Sequence, residues 1–149
     1  MATKIFNAGE ISIELQKELY EDAGETAFAI LRNLILRSPV GNPDNWQNPD
    51  SAPPGYVGGH FRRNWLVSIG GFNETELAGA EEPVAFTMGR GKNQINTWTR
   101  ARAARLVIQN NVPYANRLAH GHSVQAAAGW VDAEIDIALR TPGGRKDLR

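Results

Sequence analysis

The chain of 149 residues is 42% hydrophobic, enough for one folded domain with a modest core, and its lack of cysteine excludes disulfides, thiolate catalysis and cysteine-based zinc sites. Sixteen basic and 16 acidic residues cancel, but the signs are segregated: Glu10, Glu14, Glu18, Glu21, Asp22 and Glu25 crowd the first segment, whereas Pro83 to Val131 holds no acid beside Arg90, Lys92, Arg100, Arg102, Arg105 and Arg117. No apolar run approaches the roughly 20 residues of a membrane helix, and the opening Met1-Ala2-Thr3-Lys4 leads into polar sequence, so neither signal peptide nor membrane anchor is expected and an intracellular chain is.

In chain order, Asn7 followed by Glu10 has the spacing of a capping box. Leu15, Leu19, Ala23, Ala27, Ile30, Leu31 and Leu34 recur at three- and four-residue steps. Together these predict a long N-terminal helix, stopped at Ser38-Pro39, with Gly24 marking a bend or a close packing contact. The following stretch, residues 39–63, is rich in proline and glycine yet contains Trp46, Tyr56 and Phe61. It predicts a long ordered loop, either a surface excursion pinned by its aromatics or an arm that docks on a neighbouring subunit. Trp65, Val67 and Ile69 then alternate with Leu66 and Ser68 as a strand ending at Gly70-Gly71.

Val84-Ala85-Phe86-Thr87 predicts a second strand and Arg105 to Gln109 a third. Between them, GRGK reads as a glycine-containing turn, without phosphate-loop spacing, before a short helix from Asn96 to Ala104. Pro113 opens a helical turn or two through Leu118, and Gly121 fits the left-handed residue beyond its end. The last segment, Gly129 to Arg140, carries both a strand alternation and a helical stripe; its length of about 12 residues and its end in Arg140 ahead of Pro142 favour a helix. The expected fold class is α+β: a long N-terminal helix packed on a small antiparallel sheet, with a short helix and a C-terminal helix, in a single domain over residues 1–140 and a flexible tail over 141–149.

His120-Gly121-His122 and His60 are the chain's three histidines. A zinc site needs three or four converging ligands, and no acid between Pro83 and Val131 is placed to orient an imidazole. A serine or threonine nucleophile would need a histidine base backed by a carboxylate, and nothing resembles a nucleophile elbow. Glu74, Glu76, Glu81 and Glu82 read as solvated charge in a polar turn. No metal, cofactor or catalytic residue is therefore expected. The charge segregation suits an acidic partner surface, including another copy's acidic segment, better than nucleic acid, whose stable binders carry a basic excess.

Four short runs occur in a distinctive order: Ser38-Pro39-Val40; Gly59-His60-Phe61-Arg62-Arg63-Asn64-Trp65 before a strand; Val112-Pro113-Tyr114-Ala115-Asn116-Arg117-Leu118 followed by His120-Gly121-His122; and Gly129-Trp130-Val131 before the last helix. In this order they resemble the tail-completion, or head-to-tail joining, proteins of long-tailed double-stranded DNA phages, over roughly Ala23 to Leu139. The chain departs from that pattern where residues 41–58 separate the first two runs, and where Ala119 and His120 stand ahead of Gly121 in place of the usual acid.

The resemblance implies a non-enzymatic α+β virion protein assembled as a homo-oligomeric, six-fold ring at the top of the tail tube. Its partners would be the adjacent neck, connector and tail-tube proteins, and its place the tail or neck of the virion, after assembly in the host cytoplasm. The residues expected at an oligomer or docking interface are Trp46, Tyr56, Phe61, Arg62, Arg63, Arg100, Arg102, Arg105, Tyr114 and Arg117, with the basic stretch a candidate for contact with double-stranded DNA in the channel. Tyr114 is expected to anchor a core or an interface, Gly121 to serve the turn, and His122 to hydrogen-bond locally. The alternatives are a tail terminator or other neck ring protein, and a small hydrolase or nuclease using His60, His120 and His122.

Overall fold

Where the capping-box spacing predicts a helix from Asn7, the chain instead forms a β-hairpin. In the computed structural model, which describes residues 2–7, 10–15, 20–41, 48–51, 54, 58–79, 82–101, 105–121 and 126–140, β1 (Ala2–Asn7) pairs antiparallel with β2 (Glu10–Leu15), and Asn7 and Glu10 face each other across the ladder. The period-two alternation of Ile11 and Ile13 with Ser12 and Glu14 decides the matter, because both isoleucines are fully buried. The first helix, α1 (Tyr20–Arg37), starts later than expected and keeps the predicted stripe: Ala23, Ala27, Ile30, Leu31 and Leu34 are all buried.

The second correction concerns residues 84–104. The expected strand at Val84–Thr87, the GRGK turn and the short helix belong to one 18-residue helix, α3 (Val84–Ala101). Its buried residues Thr87, Gly91, Ile95 and Trp98 fall at four-, four- and three-residue steps. Gly91 sits inside this stripe because a Cβ there would stand 2.2 Å from Leu31 Cδ2 and 3.1 Å from Val67 Cγ2, so α3 can lie on α1 and the sheet only without a side chain at that point. A Cβ on Gly24 would likewise stand 2.8 Å from Thr99 Cγ2, which makes Gly24 a packing contact. Gly24 opposite Thr99 and Leu31 opposite Gly91 also show that α1 and α3 run antiparallel.

The remaining elements follow the sequence closely. β3 (Trp65–Ile69), β4 (Leu106–Asn110), α4 (Ala115–Ala119) and α5 (Trp130–Arg140) occur at or within a residue or two of the expected places. The segment read as a loop over 39–63 ends in a single helical turn, α2 (His60–Arg63), and contains a 3-10 turn at Pro49–Ser51; much of the rest of it, and the tail 141–149, lie outside the described residues.

The fold is α+β. Four antiparallel strands lie in the order β1-β2-β4-β3, and the long helix α1 packs on the sheet between α3 and α5. By register, Ile11, Ile13, Leu106, Ile108, Trp65 and Val67 share the sheet face that meets the helices, and they form one core with Ile30, Leu31, Leu34, Ile35, Ile95, Trp98 and Ile135. At the α1–α5 contact, Asn33 Nδ2 donates to the Glu134 carbonyl at 3.3 Å and Arg37 Nε lies 3.4 Å from Glu134 Oε1.

Candidate functional site

The four runs that stand far apart in sequence meet at one end of this core. Ser38, just past α1, is buried; its Oγ donates to the Leu34 carbonyl at 2.6 Å and accepts the indole N–H of Trp65 at 2.7 Å. Trp65 lies edge-on to Phe61, with centroids 5.6 Å apart at 69°, and edge-on to Trp130 at 6.5 Å and 87°. Phe61 is itself edge-on to Trp130 at 6.2 Å, and Tyr114 tilts onto it at 6.5 Å. Such edge-to-face pairs add about 0.5–1.5 kcal/mol each beyond the area they bury.

Polar groups lock the rings in place. Asn110 Nδ2 donates to the Phe61 carbonyl at 2.8 Å, its Oδ1 accepts from the Val112 amide at 3.3 Å, and Trp130 Nε1 donates to the Leu118 carbonyl at 3.0 Å. Gly121 adopts φ +93°, as the sequence predicts, and the chain returns beside it, with the Gly129 amide bonded to the Ala119 carbonyl at 2.9 Å.

A second constellation binds the segment 72–79 back over the outer face of β3 and β4. Asn64 grips both backbone groups of Leu77: its Oδ1 accepts the Leu77 amide at 2.6 Å and its Nδ2 donates to the Leu77 carbonyl at 3.1 Å. Gln109 does the same to Asn73, accepting its amide at 2.8 Å and donating to its carbonyl. Asn111 Nδ2 donates to the carbonyls of Asn73 and Thr75 at 2.6 and 2.7 Å. Side-chain amides thus supply the backbone partners that a neighbouring strand would supply in a sheet, and fix the half-buried segment at Asn73 and Leu77.

The basic end of α2 closes this strap. Both ring nitrogens of His60 meet oxygens, Nδ1 the Gly79 carbonyl at 2.5 Å and Nε2 Glu76 Oε1 at 2.8 Å, and Arg63 donates to the Ala78 carbonyl. Beyond the strap, Glu82 pairs with Arg90 at 2.6 Å, lies 3.5 Å from Arg63 Nε and accepts from the Thr87 hydroxyl at 2.7 Å. Burial alone would raise the Glu82 carboxyl, but Thr87, Arg90 and Arg63 together outweigh it and hold its pKa below the ordinary 4.5. Glu82 is therefore a structural ion-pair partner, which corrects its reading as solvated charge, while Glu76 is exposed and hydrogen-bonds His60.

The expected interface residues divide accordingly. Phe61 is only 3% exposed and belongs to the core, and Arg63 is committed to the strap and to Glu82, so neither presents a free docking group. Arg62 is half-buried, while Tyr114 is 41% exposed. Arg100 is exposed beside a shallow polar depression on α3 that Asn93, Asn96, Thr97 and Thr99 also line. Arg105 begins the approach to β4, and Arg117 is exposed on α4 beyond the opposite end of that strand.

Trp46, Tyr56, Arg102 and His122 lie outside the described residues. The start of α1, rich in acids, lies beside the arginine-bearing end of α3 within one chain, since Gly24 packs on Thr99. His120 is exposed and its Nδ1 meets the Asn116 carbonyl at 2.7 Å. Among the described residues, no three His, Asp or Glu side chains come together as a metal site would require.

The sequence alone assigns no role to Asn64, Gln109, Asn110 and Asn111. The available signal was the run of amides closing an otherwise apolar strand, LVIQNN, since a buried amide needs a built partner. The chain matches no family model, no curated protein and no solved structure.

Proposed function

We propose that this chain is a structural virion protein, a ring-forming tail-completion or neck subunit that joins a phage tail to the head connector. The observation that supports it most is the convergence of Ser38, Phe61, Trp65, Tyr114 and Trp130. The short runs carrying the resemblance to tail-completion proteins are pieces of one packed unit, in which Ser38 bonds Trp65 and Phe61 and Trp65 both lie edge-on to Trp130.

In this reading the aromatic knot and the amide-bound strap make a rigid subunit, as a ring under the load of packaged DNA requires. The exposed parts of Tyr114 and Arg117 on the α4 side, and Arg100 on α3, are left to face neighbours. The test is to inactivate the gene in the virus that carries it and to examine the lysate by electron microscopy. Filled heads and finished tails that fail to join, with antibody against the chain labelling the neck of intact virions, are the expected results. Normal virions lacking the chain would refute the reading.

A further inference from the structure

Among the described residues both edges of the sheet are unpaired, and their directions are complementary. Along the β3–β4 ladder the Gly70 amide bonds the Arg105 carbonyl at 3.0 Å. Antiparallel ladders alternate between bonded and non-bonded pairs, so with this register Leu66 and Ser68 bond inward to β4. The backbone groups of Trp65, Val67 and Ile69 then point to the outer edge, where no described backbone group meets them. At the other end β1 is bonded on one side alone, and among the described elements β2 is the one it packs against extensively. Among the described residues β1 is thus a six-residue edge strand of the sheet with one side unpaired, and such an edge invites another strand.

Because every neighbouring pair is antiparallel, β1 and β4 run one way and β2 and β3 the other. A second copy placed so that its β1 meets this β3 therefore meets it antiparallel. The up-and-down alternation of the pleat continues across the junction, and both helical layers stay on the same side of the joined sheet. β3 carries no charge and β1 a single one, Lys4, so no like charges oppose each other.

We propose that copies of this chain associate by β-strand addition, the β1 edge of one copy pairing antiparallel with the β3 edge of the next. The contact joins two different surfaces, so it repeats head to tail and produces a ring if the rotation closes and an open array if it does not. Main-chain hydrogen bonds would supply its affinity, as in other strand additions. Closure into a ring rests on the function proposed above, whereas the strand pairing stands on the sheet alone.

The absence of native cysteine makes disulfide trapping in the full chain a clean test. By register Thr3 and Ile5 lie on the same sheet face as Leu66. On mild oxidation, Thr3→Cys or Ile5→Cys mixed with Leu66→Cys is expected to give a disulfide-linked dimer, and each variant alone is not. Ile69→Pro, which removes an outward-pointing N–H and no β4 bond, is expected to weaken assembly at least tenfold while circular dichroism keeps its native form.

Closed rings that trap the mixed disulfide support both the pairing and the ring. Rings that trap none overturn the pairing and leave the ring reading standing. Linked open chains sustain the pairing and contradict the ring, and a wild-type chain that stays monomeric overturns both. Should the proline variant fail to fold, the trapping result still decides.

Discussion

Gly121 holds φ +93°, and a Cβ there would stand 2.9 Å from the Ala128 Cβ, so its want of a side chain is required by both the backbone and the packing. Replacing it with valine adds left-handed strain and a clash, together about 2–3 kcal/mol. Gly121→Val should therefore melt well below wild type, whereas His120→Asn, at an exposed position, should stay within about 0.5 kcal/mol of it. Thermal melts of the two variants check the order; a metal-binding role for this turn predicts the reverse. Glu82 offers a titration test. Its folded pKa is depressed below 4.5, so the stability it adds is fully present above that value and lost as the pH falls through the folded pKa. Glu82→Gln should lower the melting temperature at pH 7, and the gap to wild type should close progressively in acid below pH 4.5. A gap that persists unchanged at the lowest pH where the chain remains folded would mean that the Arg63–Glu82–Arg90 charges contribute little.

α3 shows why some elements were legible in the sequence and others not. Its glycines, Gly89 and Gly91, read as a turn because composition registers conformational freedom and cannot register a neighbour. The structure separates them: a Cβ on Gly89 would meet nothing within 4 Å, while one on Gly91 would strike Leu31. Gly89→Ala should raise stability by up to about 1 kcal/mol through helix propensity. Gly91→Ala should lower it by about 1–3 kcal/mol, because Leu31 is fully buried and must be displaced. Urea titration of the two variants gives both signs in one experiment, and equal shifts would show that α3 does not pack on α1 as described. The hairpin was misread for a related reason. Ile11, Leu15 and Leu19 satisfy a helical step as well as Ile11 and Ile13 satisfy a strand step, and only pairing with β4 breaks the tie. β3, β4 and α5 were legible because there the local pattern and the tertiary environment agree. The aromatic members of the candidate site were visible as motifs, but the role of the amide partners Asn64, Gln109 and Asn110 was not, since it is fixed by what folds back onto them.

At the scale of the molecule, the knot at Trp65 and the strap at Asn64 and Gln109 build a body whose helices cover one face of the sheet and whose two edges are unpaired among the described residues. That arrangement is the ground of the proposed strand pairing, whereas the proposed virion role rests on the convergence of the short runs around Trp65. The most direct measurement is the mass and symmetry of the purified chain at micromolar concentration, by light scattering on a sizing column with negative-stain images of the same peak. The account predicts a particle of about six times the 16.3 kDa subunit mass with a central channel and six-fold images. A single species at the subunit mass, unchanged as the concentration rises to hundreds of micromolar, would contradict it.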